Sequence, residues 1–145
     1  MEKFKKIVSS LFVILFLMII VGAPTIFAAT NYFSFTMNNR YVDGDSNGEY
    51  HVLRAGNVYI KGTVVSTKQK NGSTKPNPLF VGLYRSKTGP DSFCGEIKLG
   101  NSSTINIAER KLGDADKTSG KYYLIAYKVE VDHWTTKANG KVYNK

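Results

Sequence analysis

The sequence predicts an all-β protein: an antiparallel β-sandwich of about 7–8 strands, immunoglobulin-like or jelly-roll-like, preceded by an N-terminal signal-peptide helix. Apolar and polar residues alternate from Phe33 onward, and a period of two residues is typical of strands that bury one face. Clusters of Gly, Asn, Asp, Ser and Pro interrupt this alternation roughly every 8–12 residues, as expected for turns between short strands. No segment after the leader has the period of an amphipathic helix.

Residues 1–28 have the composition of a cleavable secretory signal peptide. Three lysines stand among the first six residues, and residues 11–21 contain no polar side chain. Pro24 helps to keep the apolar run below the ~20 residues that a membrane-spanning helix needs, and Ala28 supplies a small-residue cleavage site. We therefore expect secretion of residues 29–145 as a single β-sandwich domain. An uncleaved N-terminal membrane anchor is the alternative.

The mature chain is predicted to be strongly basic. Removing three lysines and one glutamate with the leader leaves 17 basic and 10 acidic residues, a formal net charge of +7. Such a charge attracts anionic surfaces, so we expect an anionic cell-wall polymer or an extracellular protein as the partner, with cell-wall association. The alternative is that the lysines only keep the surface soluble. We expect no nucleic-acid partner and no stable membrane insertion after cleavage.

Cys94 is the single cysteine of the chain, which excludes a disulfide framework within it. A cysteine-poor, Lys/Asn-rich export is typical of a Gram-positive bacterium rather than of disulfide-stapled secreted domains. Three roles stay open for the thiol: a buried structural group, an intermolecular disulfide, or a nucleophile paired with His51 or His133.

Residues 122–131 give the strongest strand pattern, with Tyr123 and Tyr127 on one face and Tyr122 on the other. The segment before this strand is expected to be a polar connection over residues 111–120, with one helical turn, and residues 142–143 are expected to form an edge strand. Another strand places Phe80 and Tyr84 opposite Leu79, Val81 and Leu83.

The segment Ser119-Gly120-Lys121-Tyr122 resembles the tyrosine corner of immunoglobulin-like sandwiches. The resemblance implies that the Tyr122 hydroxyl group is hydrogen-bonded to backbone a few residues upstream. It covers four residues.

Asp43, Asp45, Asn47 and Glu49 form the candidate metal site, a calcium loop. Oxygen-bearing side chains at alternate positions, with glycine at the sixth, match the first half of an EF-hand loop. Arg54 occupies the twelfth position, where a bidentate glutamate is required, and strands are predicted on both sides, so a true EF-hand is excluded. The alternative is a polar hairpin turn, because Asp-Gly and Asn-Gly favour turns.

Tyr84, Tyr122 and Trp134 are the predicted ligand or partner surface. Tyrosine and tryptophan offer a flat apolar ring with a polar tip, which suits sugar stacking and protein binding. Trp134 follows His133 in a predicted loop at one end of the sandwich, where binding residues are common. The alternative is that these rings cap the core.

No motif for a nucleophile, a phosphate loop or a zinc site is present in the sequence. The sequence therefore predicts a small secreted, non-catalytic binding protein that acts at the cell envelope or in the extracellular medium, without a cofactor other than calcium. Two alternatives remain open. One is a secreted antagonist, either a bacteriocin-like toxin or an inhibitor. The other is a small secreted hydrolase that uses Cys94 or a carboxylate pair such as Glu96 and Glu109.

Overall fold

A computed structural model describes residues 30–38, 40–117 and 119–145, and the predicted leader lies outside the described residues. Nine strands follow one another along this part of the chain: β1 (Thr30–Met37), β2 (Tyr41–Asp43), β3 (His51–Leu53), β4 (Gly56–Lys68), β5 (Phe80–Arg85), β6 (Ser92–Lys98), β7 (Thr104–Ala115), β8 (Gly120–Tyr127) and β9 (Trp134–Asn144).

The strands form two antiparallel sheets, which confirms the predicted all-β class and the sandwich. The first sheet has the order β1-β9-β4-β7, and the second has the order β2-β8-β5-β6, with β3 also paired to β8. The strand number exceeds the predicted seven to eight because the three-residue strand β2 pairs with part of β8, as the equally short β3 also does. In the described ranges no helix has the length and hydropathy that a membrane span requires.

The core lies between the inner faces of the two sheets. In β4 the inward residues Val58, Ile60 and Val64 are almost fully buried, while alternate residues face solvent. Their partners from the second sheet include Leu83 of β5 and Leu124 of β8. The period-two pattern of the sequence therefore gives each sheet one buried and one solvent-facing surface.

The two sheets approach closely where β6 meets β7. Gly113 lies against the backbone of β6, and a Cβ atom there would come within 2.2 Å of the Cys94 carbonyl oxygen. On the other side of this contact Gly95 has a φ of +147°, a conformation that favours glycine. The pair lets the backbones of two strands from different sheets touch.

The C-terminal third of the chain differs from the prediction. β8 ends at Tyr127, not at residue 131, and Val129 and Val131 are exposed. The chain leaves the sheet here because Lys128 and Asp132 form a buried ion pair of 2.8 Å, which fixes a turn between β8 and β9.

The last strand is longer than the predicted edge strand at residues 142–143. β9 covers 11 residues, Trp134–Asn144, and lies inside the first sheet between β1 and β4 rather than at an edge. Likewise β7 extends through Ala115, so most of the predicted polar connection, including the start of the expected helical turn, is strand. Polar residues at these positions occupy the solvent side of the sheet, which hides them from a search for apolar runs.

Candidate functional site

Aromatic side chains cover the solvent side of the second sheet. The register places Tyr127 of β8 between Tyr41 of β2 and Phe80 of β5. Four residues further along, Tyr84 of β5 lies opposite Tyr123 of β8. We call this surface the aromatic face; its rings are Tyr41, Phe80, Tyr84, Phe93, Tyr123 and Tyr127.

The rings of the aromatic face contact one another across strands. Phe80 and Tyr127 stack with centroids 5.1 Å apart and planes at 13°, and Tyr84 and Tyr123 stack at 5.7 Å and 19°. Phe93 of the edge strand meets Tyr84 edge-on at 5.4 Å. Offset and edge-on pairs of this kind are favourable beyond the area they bury, so the rings support one another in fixed positions.

A shallow groove of about 460 Å³ runs between the aromatic rings. Tyr41, Tyr84 and Tyr127 line it together with Ile125. Beside Ile125, across the β5–β8 pair, stands Gly82, and the Tyr84 ring occupies the space above it: a Cβ atom there would lie 2.9 Å from Tyr84 Cε2. The missing side chain thus lets the Tyr84 ring lie close to the sheet.

Carboxylate groups accept hydrogen bonds from three of the tyrosine hydroxyl groups on this face. Tyr127 donates to Glu96 at 3.0 Å and Tyr123 donates to Asp91 at 2.7 Å. At the β2 end, the Tyr41 hydroxyl group donates to a carboxylate oxygen of Asp43 at 3.2 Å. These bonds hold the rings in place and leave the phenol oxygens free to accept hydrogen bonds from a ligand.

The same contacts shift the ionisation of the phenols. The hydrogen bond from Tyr127 to Glu96 raises the pKa of Tyr127. Burial, together with the charge of Glu96, raises the pKa of Tyr84. The phenols therefore stay protonated, and so uncharged, well above neutral pH.

Two lysines contact rings of this sheet. The Lys98 ammonium group lies 5.6 Å from the centre of the Phe80 ring, and the Lys121 ammonium group lies 5.7 Å from the centre of the Tyr50 ring. Each is a cation–π contact at an exposed site. Positive and negative groups are therefore mixed on the second sheet.

The predicted binding residue Tyr84 lies at the centre of the aromatic face, half-buried and facing the groove. Tyr122 is different: its side chain is fully buried, so the expectation that it is exposed to a partner is wrong. Its hydroxyl group accepts the Lys117 N–H at 3.0 Å, and its single proton has two upstream acceptors within reach, an Asp116 carboxylate oxygen at 3.1 Å and the Lys117 carbonyl oxygen at 3.0 Å. Hydrogen bonding of this kind matches what the resemblance to a tyrosine corner implies.

Trp134 is also not an exposed binding residue. Only 9% of its surface is accessible, because it begins β9 and packs under the loop that follows β4. Its indole N–H donates to the Ser73 carbonyl at 3.1 Å, and its backbone N–H donates to Asp132 at 3.0 Å. We correct the prediction accordingly: Trp134 anchors a loop.

The predicted calcium residues lie in a tight turn after β2, but their oxygens face different donors. Asp43 accepts the backbone N–H of Asp45 at 2.9 Å, and Asp45 accepts the Tyr50 hydroxyl at 2.5 Å. Glu49 accepts the backbone N–H of Ser34 in β1 at 3.2 Å. The backbone N–H of Asn47 donates to the carbonyl oxygen of Asp43. Among the described residues no group of three or more His, Cys, Asp or Glu side chains is arranged to hold a metal ion.

Cys94 lies in the edge strand β6, partly buried against the core. Its thiol donates to the Ser92 carbonyl at 3.5 Å, and burial raises its pKa, which disfavours the reactive thiolate. His51 is buried elsewhere, in β3, where desolvation lowers its pKa.

The two acids considered as a hydrolytic pair do not meet. Glu96 faces solvent on the second sheet, where it holds the Tyr127 hydroxyl. Glu109 lies in β7 of the first sheet, bonded to Tyr143 and Lys145. The sandwich separates the two carboxylates.

Sequence reasoning missed the aromatic face as a unit. It placed Phe80 with Tyr84, and Tyr123 with Tyr127, each pair on one side of its own strand, and the structure agrees. The alternation could not reveal that β5 and β8 are neighbours, which is the pairing that brings the four rings together.

The sequence matches no protein-family model and no curated protein.

Proposed function

We propose that the protein is a small secreted, non-catalytic binding protein that acts at the cell envelope or in the extracellular medium, with the aromatic face as its ligand-binding surface. The observation that carries the proposal is the set of six rings on the solvent side of one sheet, where the core does not need them. Two of them, Tyr41 and Phe93, are 53% and 60% exposed. Phe80, Tyr84 and Tyr127 between them are half-buried, so the face is a partly exposed aromatic surface. Exposed apolar surface is typical of interaction sites.

The chemistry of the face favours a neutral sugar chain. A sugar ring presents an apolar C–H side, which suits the flat rings of tyrosine and phenylalanine, and hydroxyl groups, which suit phenol and carboxylate oxygens as acceptors. The groove of about 460 Å³ has the size of a small-ligand site. Asp43, Asp91 and Glu96 border the rings, and Arg40 lines the groove, so the mixed charges at this face do not favour a polyanion. We therefore propose uncharged sugar units of a wall polysaccharide as the ligand.

A pull-down of the purified protein on isolated cell envelopes, repeated at rising salt concentration, tests the proposal. Ring stacking survives salt, whereas retention through surface charge is screened. We expect retention of the wild type at high salt and its loss in Tyr84→Ala. Tyr32→Ala is the matched control, because Tyr32 is a 72% exposed tyrosine on the other sheet. Equal retention of all three proteins at high salt would contradict the proposal.

The two alternative functions are separated by simple incubations. A secreted antagonist stops the growth of neighbouring strains, and a hydrolase releases soluble fragments from isolated envelopes. The proposal predicts neither effect, since binding alone changes no bond in the polymer.

Calcium binding by the 43–49 turn stays a proposal with a separate test. An ion that binds only the folded state raises the thermal midpoint of unfolding. A rise in millimolar calcium, absent in Asp45→Asn, would support the site. An unchanged midpoint would leave Asp43 and Asp45 as acceptors that stabilise the turn.

For the finer fold class we propose an immunoglobulin-like sandwich rather than a jelly roll. The hydrogen bonds of Tyr122 at the start of β8 support this choice. The position of β9 between β1 and β4 departs from the usual immunoglobulin arrangement.

A further inference from the structure

The solvent side of the first sheet is basic. Lys61 of β4 and both Lys137 and Lys141 of β9 point away from the core and are exposed. None of the four ion pairs found within residues 30–38, 40–117 and 119–145 includes any of these three lysines. Their charges are therefore not neutralised by a carboxylate in direct contact.

Two of the lysines lie directly opposite each other. Lys61 pairs with Lys141 in the antiparallel register of β4 and β9. Cβ atoms of directly opposed residues are about 4.5–5.5 Å apart, and like charges at this spacing destabilise a sheet. On the far side of Lys141, its ammonium group lies 5.4 Å from the centre of the Tyr32 ring. The sheet thus tolerates a repulsive pair where an opposite charge would have been favourable.

A groove of about 490 Å³ opens beside the lysine pair. Lys61 and Lys141 line it, together with Thr30 and Tyr143. The backbone of Gly62 and Gly140 also lines it, where β4 and β9 face each other. Two lysine side chains therefore border one groove that is open to solvent.

Glu109 of β7 is the acid that interacts with this face. Its hydrogen bonds to Lys145 and Tyr143, with a smaller contribution from the charge of Lys61, hold its pKa below the usual range. Glu109 forms its ion pair with Lys145. Among the described residues, no carboxylate is therefore in direct contact with the lysine pair.

We propose that this basic face, defined by Lys61, Lys137 and Lys141, binds a linear polyanion that carries its charges on phosphate groups, such as a phosphate-bearing wall polymer. Lys137 and Lys141 are four residues apart on one strand, which is about 13 Å and too far for one small anion to reach both. Lysine acts as a point charge, whereas planar carboxylates are best bound by arginine forks. The proposal does not depend on the aromatic face, which lies on the other sheet.

Titration of the purified protein with linear inorganic polyphosphate, followed by calorimetry at several salt concentrations, tests this site. We expect binding that weakens as salt rises, and an affinity loss of about tenfold or more in Lys61→Gln/Lys141→Gln. The control Lys98→Gln/Lys121→Gln removes the same charge from the second sheet and should lose about threefold or less. Tyr84→Ala should bind polyphosphate like the wild type, which separates this site from the aromatic face.

Three results would overturn the proposal. The first is an equal loss in both double variants, which would mean that only net charge matters. The second is binding of poly-L-glutamate as tight as that of polyphosphate. The third is tighter binding to phosphatidylglycerol vesicles, which would make a lipid surface the partner. Thermal unfolding checks the fold: relief of the Lys61–Lys141 repulsion should leave the midpoint unchanged or raised.

Discussion

Tyr84 stacks on Tyr123 across the β5–β8 strand pair, with ring centroids 5.7 Å apart, on the side of the sheet that faces away from the core. Tyr123 is nearly buried by its neighbours, while Tyr84 borders the groove. One ring thus supports the other, and the supported ring faces the groove. This division of roles leads us to place binding at Tyr84 rather than at the most exposed tyrosine of the chain.

Tyr122→Phe is expected to lower the free energy of unfolding by about 1–2 kcal/mol, because the partly buried hydrogen bonds of its hydroxyl group with Asp116 and Lys117 are lost. Envelope binding should be unchanged, since the Tyr122 ring does not reach the surface. Urea denaturation measures the difference. Tyr41→Phe is the control, because it removes an exposed hydroxyl group. An equally large loss of unfolding free energy in Tyr41→Phe would contradict the tyrosine-corner explanation.

Asp132→Asn is expected to destabilise the fold by about 3–5 kcal/mol, because it leaves the Lys128 charge buried without a counter-ion. Lys128 and Asp132 are both nearly inaccessible to water. Urea denaturation measures this effect as well. The exposed pair of Glu109 and Lys145 supplies the control, and Glu109→Gln should change stability little.

The same ion pair predicts how stability depends on pH. Burial alone would raise the pKa of Asp132. The hydrogen bonds from Lys128 and from two backbone N–H groups outweigh this effect and lower the pKa below its usual value. A folded-state pKa below that of the unfolded chain stabilises the protein above about pH 4, and this stabilisation is lost as the pH falls further. Wild type should lose stability below that pH more steeply than Asp132→Asn. Parallel pH profiles would contradict the assignment.

Gly113→Ala is expected to destabilise the sandwich by about 1–3 kcal/mol, because the added methyl group would stand 2.2 Å from the Cys94 carbonyl oxygen. The strands must separate where the two sheets touch. Gly100→Ala is the matched control, since a Cβ atom at Gly100 meets no atom within 4 Å. Thermal unfolding of both variants gives the comparison, and equal midpoints would contradict the close contact between β6 and β7.

Cys94 is expected to react slowly with iodoacetamide in the native protein and quickly in denaturant. Partial burial limits access, and the raised pKa keeps the thiol protonated. Mass spectrometry of the modified chain over time gives the two rates. Fast native modification would instead indicate an activated, accessible thiol.

The sequence could predict the class of fold and the faces of individual strands, because alternation is a local property. Phe80 and Tyr84 were assigned correctly to one side of β5. It could not predict the neighbours of a strand, which depend on contacts distant in the chain, so the aromatic face and the Lys61–Lys141 pair stayed hidden. The exposure of Tyr122 could not be predicted, because tyrosine occurs both at binding surfaces and in the core, where its hydroxyl group is hydrogen-bonded.

The central claim, that the aromatic face binds uncharged sugar units, is tested most directly by NMR. Two-dimensional amide spectra of the protein would be recorded during titration with soluble oligosaccharides released from the cell wall. We predict that the amide signals which shift are those of β5 and β8 around Gly82, Tyr84 and Ile125, and that Tyr84→Ala abolishes the shifts. Shifts confined to the first sheet, with the amides of β5 and β8 unmoved at saturation, would contradict the claim.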